Sequence, residues 1–366
     1  MTAGDSQLSV AHLDADAFYV SVELLRRPEL RGLPVVVAHD HPRAVVTTAS
    51  YEARKFGVGS AIPASRARRL CPDAVFVKPD FTAYREASAQ MMGIIRDHVE
   101  RVEVLGLDEA YLDVHELYSP RAAMRRLLAE IKSRTGLTCS VGIGPNRLVA
   151  KVASDAEKPC GFVVLTREQA CERFSSSPPS IVPGIGPKTA ARLERLGLST
   201  LAAVAAAPEE ALTASFGPNL GRDLRRRARF EAGRAIGTPR KVVSESRERT
   251  FERDIADPGE LRDALMRMSD ELCEGLQRRE RRGRTIGIKV RLDDFTTVTR
   301  ARTIAEPTSD AEVVGSIARE LLAAYDPPRP VRLLGVRVAG LHRDGEQPAR
   351  GAAPERSEPG QLAMPI

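Results

Sequence analysis

Acid inside apolar, strand-like runs constrains this chain more than any other feature. Asp14 lies in His12-Leu-Asp-Ala-Asp-Ala-Phe-Tyr19, and the adjacent pair Asp108-Glu109 lies in Val104-Leu-Gly-Leu-Asp-Glu-Ala-Tyr-Leu-Asp113. A carboxylate in an apolar setting is costly unless it is paired or holds a metal. Three converging from neighbouring strands make a hard, all-oxygen site suited to Mg²⁺ and phosphate chemistry. Acids at strand ends also serve as ordinary turn residues, and on the residues alone that reading competes. Asp16 and Asp113 are expected to serve the fold, since one acid of a DxD pair suffices for metal.

At 366 residues the chain exceeds one ordinary core, so two to four domains are expected. Aromatics make up only 4% and Trp is absent, so the cores must be built from Leu, Val, Ile and Ala. The net charge of +6 says little until its clustering is considered. Five cysteines (71, 139, 160, 171, 273) form no CxxC pair and read as reduced thiols, against a zinc site or disulfide frame. The sequence contains no signal peptide by composition and no apolar run long enough to span a bilayer, so a cytoplasmic protein with no membrane role is expected.

Periodicity predicts a strand over 8–14, a helix over 17–25 and a strand over 34–38; 44–50 is a run of small and β-branched residues, followed by a helix-like stretch over 51–56. A helix follows over 82–99, then two strands within 102–114 broken near Gly106. A helix over 120–134, with Ser119 as N-cap and Pro120 at its first position, precedes a strand over 138–143. With 18–79 set aside as an insertion, the order is strand, helix, strand, strand, helix, strand, the ferredoxin-like order. Residues 170–237 read as all-helical, 238–247 as a basic linker, and 248–342 as a second βαββαβ pattern. Residues 343–366, rich in Pro, Gly, Arg and Glu, read as a flexible tail.

Several groups suit phosphate. A helix starting near Ser50 puts Tyr51 and Arg54 on one face; arginine offers a planar donor fork and lysine a mobile point charge. Backbone amides at 17–19 open another helix. The turn Val182-Pro-Gly-Ile-Gly-Pro-Lys188 can bring its amides to a phosphate, and Phe216-Gly-Pro-Asn-Leu-Gly221 is a weaker second turn. Basic clusters at Arg222, Arg225, Arg226, Arg227 and Arg229, at Arg240, Lys241, Arg247 and Arg249, and at Arg278, Arg279, Arg281, Arg282 and Arg284 together suggest a phosphate track. Any one alone is an ordinary solvated face.

Three stretches carry a family resemblance: Leu13-Asp-Ala-Asp-Ala-Phe-Tyr-Val-Ser-Val-Glu23, Tyr51-Glu-Ala-Arg-Lys-Phe-Gly57 and Leu107-Asp-Glu-Ala-Tyr-Leu-Asp113. Ser140-Val-Gly-Ile-Gly-Pro-Asn146, Lys158-Pro159 and Val182-Pro-Gly-Ile-Gly186 add to it. Over residues 8–342 the chain resembles the Y-family DNA polymerases, of the DinB or DNA polymerase IV type. The resemblance implies an α+β, multidomain right hand. Its parts are a ferredoxin-like palm (1–17 and 80–169), small fingers (18–79), a helical thumb with a helix-hairpin-helix (170–237), a linker (238–247) and a βαββαβ little finger (248–342). It implies template-directed, error-prone synthesis across damaged DNA without a proofreading exonuclease, by a monomer in a bacterial cytoplasm.

By the same resemblance, Asp14, Asp108 and Glu109, with the carbonyl of Ala15, hold two Mg²⁺ ions, for which Mn²⁺ is a substitute. Phe18, Tyr19, Thr48, Tyr51, Arg54 and Lys158 contact the dNTP, and Tyr19 is the steric gate against a 2′-hydroxyl. The small residues over 44–50 make a loose pocket, which discriminates weakly. Gly184, Gly186, Lys188, Arg240, Lys241 and Arg247 contact primer-template DNA. The last six residues resemble a sliding-clamp peptide, with Gln361, Leu362, Met364 and Ile366 as its contacts, on a tether that raises local concentration. The chain departs from the family at Gly106, where Ser is frequent, and at Met364-Pro365, where Leu or Phe is typical. Two other classes compete: a non-catalytic DNA-binding homologue, which Ala at position 108 would have favoured, and a cyclase-like enzyme on a similar palm, which the hairpin and the last domain disfavour.

Overall fold

The computed structural model describes residues 8–231, 236–237 and 242–343. Contacts divide the chain into two compact units, residues 1–39 with 45–238 and residues 40–44 with 239–366.

The first unit is organised by strand β1 (Val10–Ala15), buried along its whole length. After it come helix α1 (Phe18–Arg26), strands β2 (Val35–Ala38) and β3 (Val46–Ala49), helices α2 (Tyr51–Arg54) and α3 (Ala64–Leu70), and strand β4 (Val75–Val77). Helix α4 (Phe81–His98), the hairpin β5 (Val102–Val104) and β6 (Glu109–Asp113), helix α5 (Pro120–Thr135) and strand β7 (Cys139–Gly144) complete the expected βαββαβ unit. Helix α6 (Arg147–Ala156) and strand β8 (Phe162–Val164) extend it. The five-stranded sheet has the order β5-β6-β1-β7-β8. Its first four strands are antiparallel, the ferredoxin-like arrangement, and β8 adds a parallel strand beside β7.

The two-residue period of β1 sorts its side chains. Ala11, Leu13 and Ala15 enter a core shared with α4 and α5. Val10, His12 and Asp14 point to the opposite face, where Val10 packs with Ala150 of α6. That helix was not anticipated from periodicity. Its signals are Asn146, whose side chain accepts from the amides of Leu148 and Val149, and buried residues at 148, 149, 152 and 153. Gly142 lets α6 lie close on β7, since a Cβ there would collide with the Ala150 carbonyl and the Ser154 amide.

Strands β3-β2-β4 form a separate three-stranded sheet, whose Val35, Val37 and Val77 join the β1 core. Helices α7 (Arg167–Arg173), α8 (Pro187–Arg195), α9 (Leu201–Ala206), α10 (Glu209–Phe216) and α11 (Pro218–Ala228) follow. Their core runs unbroken from Leu148 on α6 to Phe230, across the expected palm-thumb boundary at 169/170.

The second unit contains β9 (Ser244–Ile255), α12 (Pro258–Arg278), β10 (Arg281–Leu292), β11 (Thr297–Thr308), α13 (Ala311–Tyr325) and β12 (Val331–Ala339), with short β13 (His342–Arg343) on β10. Strand β9 begins inside the segment expected to be a linker. The element order repeats that of the first unit, but the sheet order is β11-β10-β12-β9. Here the fourth strand of the pattern, and not the first, lies inside. Burial explains the difference: β12 is largely buried, whereas β9 and β11 are mostly exposed and polar and occupy the edges.

Candidate active site

Strand register brings the two acidic clusters together. In the β1–β6 ladder Asp14 is paired with Glu109, and the ladder continues with the Ala15 amide donating to the Asp108 carbonyl at 2.9 Å. Glu109 shares the α6-facing side with His12 and Asp14, because Ala110 and Leu112 occupy the core side. Asp14 is only 8% exposed.

Helix α6 answers these acids with a lysine. Lys151 Nζ lies 3.0 Å from Asp14 Oδ2 and 2.7 Å from Glu109 Oε2. Lys158 Nζ takes the other oxygen, Asp14 Oδ1, at 2.8 Å and also binds Asp155 Oδ1 at 2.6 Å. Burial works against charge on both lysines, but Asp14 and its neighbouring acids outweigh it and raise both pKa values above the ordinary range.

The three acids are not electrostatically equal. Burial pushes Asp108 up to about 6, reinforced by the charges of Asp14 and Glu109. Burial also works to raise Glu109, yet His12 and Lys151 overrule it and bring the carboxyl down to about 2. Burial lowers the pKa of His12. Ser154 Oγ donates to the Lys151 carbonyl at 2.8 Å, so toward His12 Nδ1, also at 2.8 Å, it acts as acceptor. His12 Nε2 is left 3.4 Å from Glu109 Oε2, with no hydrogen-bond partner among the described residues. An unpartnered buried nitrogen beside a carboxylate leaves polar capacity at the site that a bound group can satisfy. His12, Asp14 and Glu109 each offer a ligand atom within 4.8 Å of the others. The carboxylates of Asp14 and Glu109, with Asp108 alongside, supply the oxygen donors that fit a hard divalent cation. Asp16 is engaged by the fold, accepting from Ser140 Oγ at 2.7 Å and the Cys160 amide at 2.9 Å.

The other expected contacts are distributed as follows. Ala15 ends β1, and Ala17 adopts left-handed backbone geometry as α1 begins. The Phe18 side chain is buried in the core, so only its backbone is available to a ligand. The Tyr19 ring packs against Phe18, Phe81 and Tyr84, the last at 4.8 Å between centroids. Burial, then the Asp108 charge, raises its pKa. Thr48 is buried on β3. Arg54 lies 4.7 Å over the Tyr51 ring and donates through Nε to the Ala49 carbonyl at 3.0 Å. The Tyr51 hydroxyl is buried with no partner among the described residues, and burial, followed by the charge of Asp16, pushes it up to about 12.

In the hairpin, Gly184 has φ of +88°, and a Cβ there would strike the Arg227 guanidinium, which donates to the Pro183 carbonyl. Gly186 caps α8 and Lys188 is exposed in its first turn. Arg247 lies on β9 and donates to the Ser246 carbonyl. The first arginine cluster is largely engaged internally: Arg222 on the Pro218 carbonyl, Arg227 on Asp223 and Arg229 on the Ala205 carbonyl. Arg240, Lys241, Gln361, Leu362, Met364 and Ile366 lie outside the described residues.

Sequence reasoning missed Lys151, Ser154 and Asp155, and gave His12 no role. The signal was present: 151, 154 and 155 follow the i, i+3, i+4 spacing of one helix face.

Known proteins resemble this chain over most of its length. Residues 13–155 match the model of the impB/mucB/samB family and residues 242–350 that of its C-terminal domain. A DNA polymerase IV of Alkalilimnicola ehrlichii is 41% identical over 349 residues, covering 92% of this chain and 96% of the relative. One from Methanoculleus marisnigri is 39% identical over 339 residues, covering 91% and 94%. Among solved structures, a Y-family DNA polymerase chimera superposes with a TM-score of 0.82 at 24% identity, covering 92% of this chain and 100% of its own. On register, motif and extent of similarity together, the chain belongs to the Y-family DNA polymerases, the impB/mucB/samB family.

Proposed function

We propose that this chain carries out template-directed, low-fidelity DNA synthesis across damaged template, adding dNTPs to a primer 3′-hydroxyl without proofreading. The observation that supports this best is the register pairing of Asp14 with Glu109, with Asp108 beside them. Asp14, Asp108, Glu109 and the Ala15 carbonyl are the ligands for two Mg²⁺ ions, which Mn²⁺ can replace. When bound, such ions lower the pKa of the attacking hydroxyl and stabilise the pyrophosphate leaving group.

The chain's own groups position the reactants. Thr48, Tyr51, Arg54, Lys158 and the amides of Phe18 and Tyr19 receive the triphosphate. Lys158 turns from Asp14 to do so, and the Tyr19 ring excludes a 2′-hydroxyl. Gly184, Gly186, Lys188, Arg240, Lys241 and Arg247 grip primer-template DNA through its phosphates. Gln361, Leu362, Met364 and Ile366 dock on a sliding clamp. The hand divides into palm, fingers, thumb and little finger, the last beginning no later than Ser244, where β9 starts. The protein works as a monomer in the cytoplasm; no helix among the described residues is long and apolar enough to cross a membrane.

The test is incubation with Mg²⁺, one dNTP and primer-template. Addition of the single templated nucleotide, abolished by EDTA and by Asp108→Ala, is expected. DNA binding without extension would instead identify a non-catalytic homologue, and turnover without primer another nucleotidyl enzyme.

A further inference from the structure

Asp14 and Glu109 already share a cation, and it belongs to the chain. Lys151 Nζ bridges Asp14 Oδ2 and Glu109 Oε2. Lys158 does not bridge the pair, because it reaches Asp14 and Asp155 only. A divalent ion ligated by these same two oxygens competes directly with the Lys151 ammonium for them. The ammonium has a second partner available: Asp155 Oδ2, one turn along α6, is 3.6 Å away on a side chain 46% exposed. The backbone beneath is fixed, since Ser154 Oγ donates to the Lys151 carbonyl and Ser154 is held in turn by the buried ring of His12. Rotation of the lysine side chain alone therefore suffices to exchange partners.

We propose that Lys151 is a resident counter-cation, holding Asp14 and Glu109 together when no divalent ion is bound and retreating to Asp155 when one arrives. This rests on the metal-site reading above. The lysine stays protonated throughout, so one positive charge replaces another on the acids. It keeps two facing carboxylates from repelling each other apart and sets the affinity at which a divalent ion enters. Asp155 is a positioning residue in this exchange. Departure of Lys158 to a triphosphate would free Asp155 to receive Lys151, so nucleotide should favour metal entry.

The experiment is Mn²⁺ binding to the full chain without DNA or nucleotide, read from loss of the free-ion electron paramagnetic resonance signal. Lys151→Met should bind Mn²⁺ about tenfold or more tightly than wild type, because a competing charge a few ångströms away is removed. Asp155→Asn, which removes the retreat, should bind it several-fold more weakly. In EDTA, Lys151→Met should melt below wild type and gain more from added Mn²⁺. Unchanged or weaker binding in Lys151→Met overturns the proposal; should that variant not fold, unchanged binding in Asp155→Asn does so. Asp14→Asn separates the two readings. If it abolishes Mn²⁺ binding while the Lys151 and Asp155 variants leave it unmoved, only the counter-cation role falls. If it leaves binding intact, the metal site falls with it.

Discussion

Asp14 and Glu109 are register partners on neighbouring antiparallel strands, so the backbone ladder, and not side-chain choice, sets their spacing. Directly opposed residues carry Cβ atoms about 5 Å apart. Two like charges at that distance oppose the fold unless a cation lies between them, and the site's acids differ in how fully they are compensated.

That difference makes pH dependence of the metal-free protein diagnostic. Asp108 titrates at about 6, above its ordinary 3.8, so the fold favours its protonated form. Its contribution is fully present below the ordinary value and is lost as pH rises through about 6. Glu109 has the opposite sign: at about 2 against an ordinary 4.5, its contribution is present above 4.5 and lost as pH falls toward 2. In EDTA, the melting temperature of Asp108→Asn relative to wild type should therefore rise from pH 4 to pH 7. The deficit of Glu109→Gln should be largest above pH 4.5 and shrink in acid. Parallel pH profiles for wild type and both variants would contradict these assignments.

Packing beneath the site predicts a second effect. Gly142 on β7 faces the α6 backbone, and a Cβ would drive the helix carrying Lys151 away from the sheet. Gly142→Ala should cost about 1–3 kcal/mol in urea unfolding, as overpacking does. Gly93, within α4, has open space where a Cβ would stand, with nothing within 4 Å, so Gly93→Ala should instead gain roughly 0.5–1 kcal/mol.

These two cases also show what the sequence made legible. The acids, strand alternation and βαββαβ order were readable because period-two patterning is local. The counter-charge was not, because Lys151 and Asp14 are distant in sequence and meet only once α6 packs on the sheet, lying close on β7 at Gly142. The sheet order of the second unit was likewise hidden: hydrophobic pattern marks strands, while relative burial among strands decides which go inside. Nor did the arginine run at 222–229, one of three clusters read together as a phosphate track, show that several of its members bond to carbonyls and acids within their own helical unit.

Sugar selection should depend on Tyr19. Its ring is braced by Phe81 and by Tyr84, whose hydroxyl donates to buried Glu23 at 2.7 Å. A ring held this way is a wall and not a mobile flap. Tyr19→Ala should admit ribonucleotides, raising rNTP relative to dNTP incorporation about tenfold or more in primer extension, each tenfold corresponding to about 1.4 kcal/mol. Unchanged discrimination would remove Tyr19 from the sugar site.

Deleting 361–366 tests the proposed clamp peptide. A tethered anchor acts by effective concentration and adds no chemistry. Clamp-stimulated processivity should disappear while extension without clamp is unaffected. Loss of unstimulated activity would mean that these residues serve the polymerase itself.

The DNA grip separates free cations from engaged ones. Non-specific binding weakens with salt, with a slope of about 0.9 per phosphate neutralised. Lys188 is exposed in the first turn of α8, so Lys188→Ala should lower that slope by roughly one without changing sequence preference. Arg227, bonded to Asp223 and to the Pro183 carbonyl, holds the hairpin in shape. Arg227→Ala should lower the melting temperature and weaken DNA binding through the loss of hairpin geometry. Measured across a salt series, its binding curve should shift with little change in slope, whereas a slope reduced like that of Lys188→Ala would show that Arg227 reaches the phosphate directly.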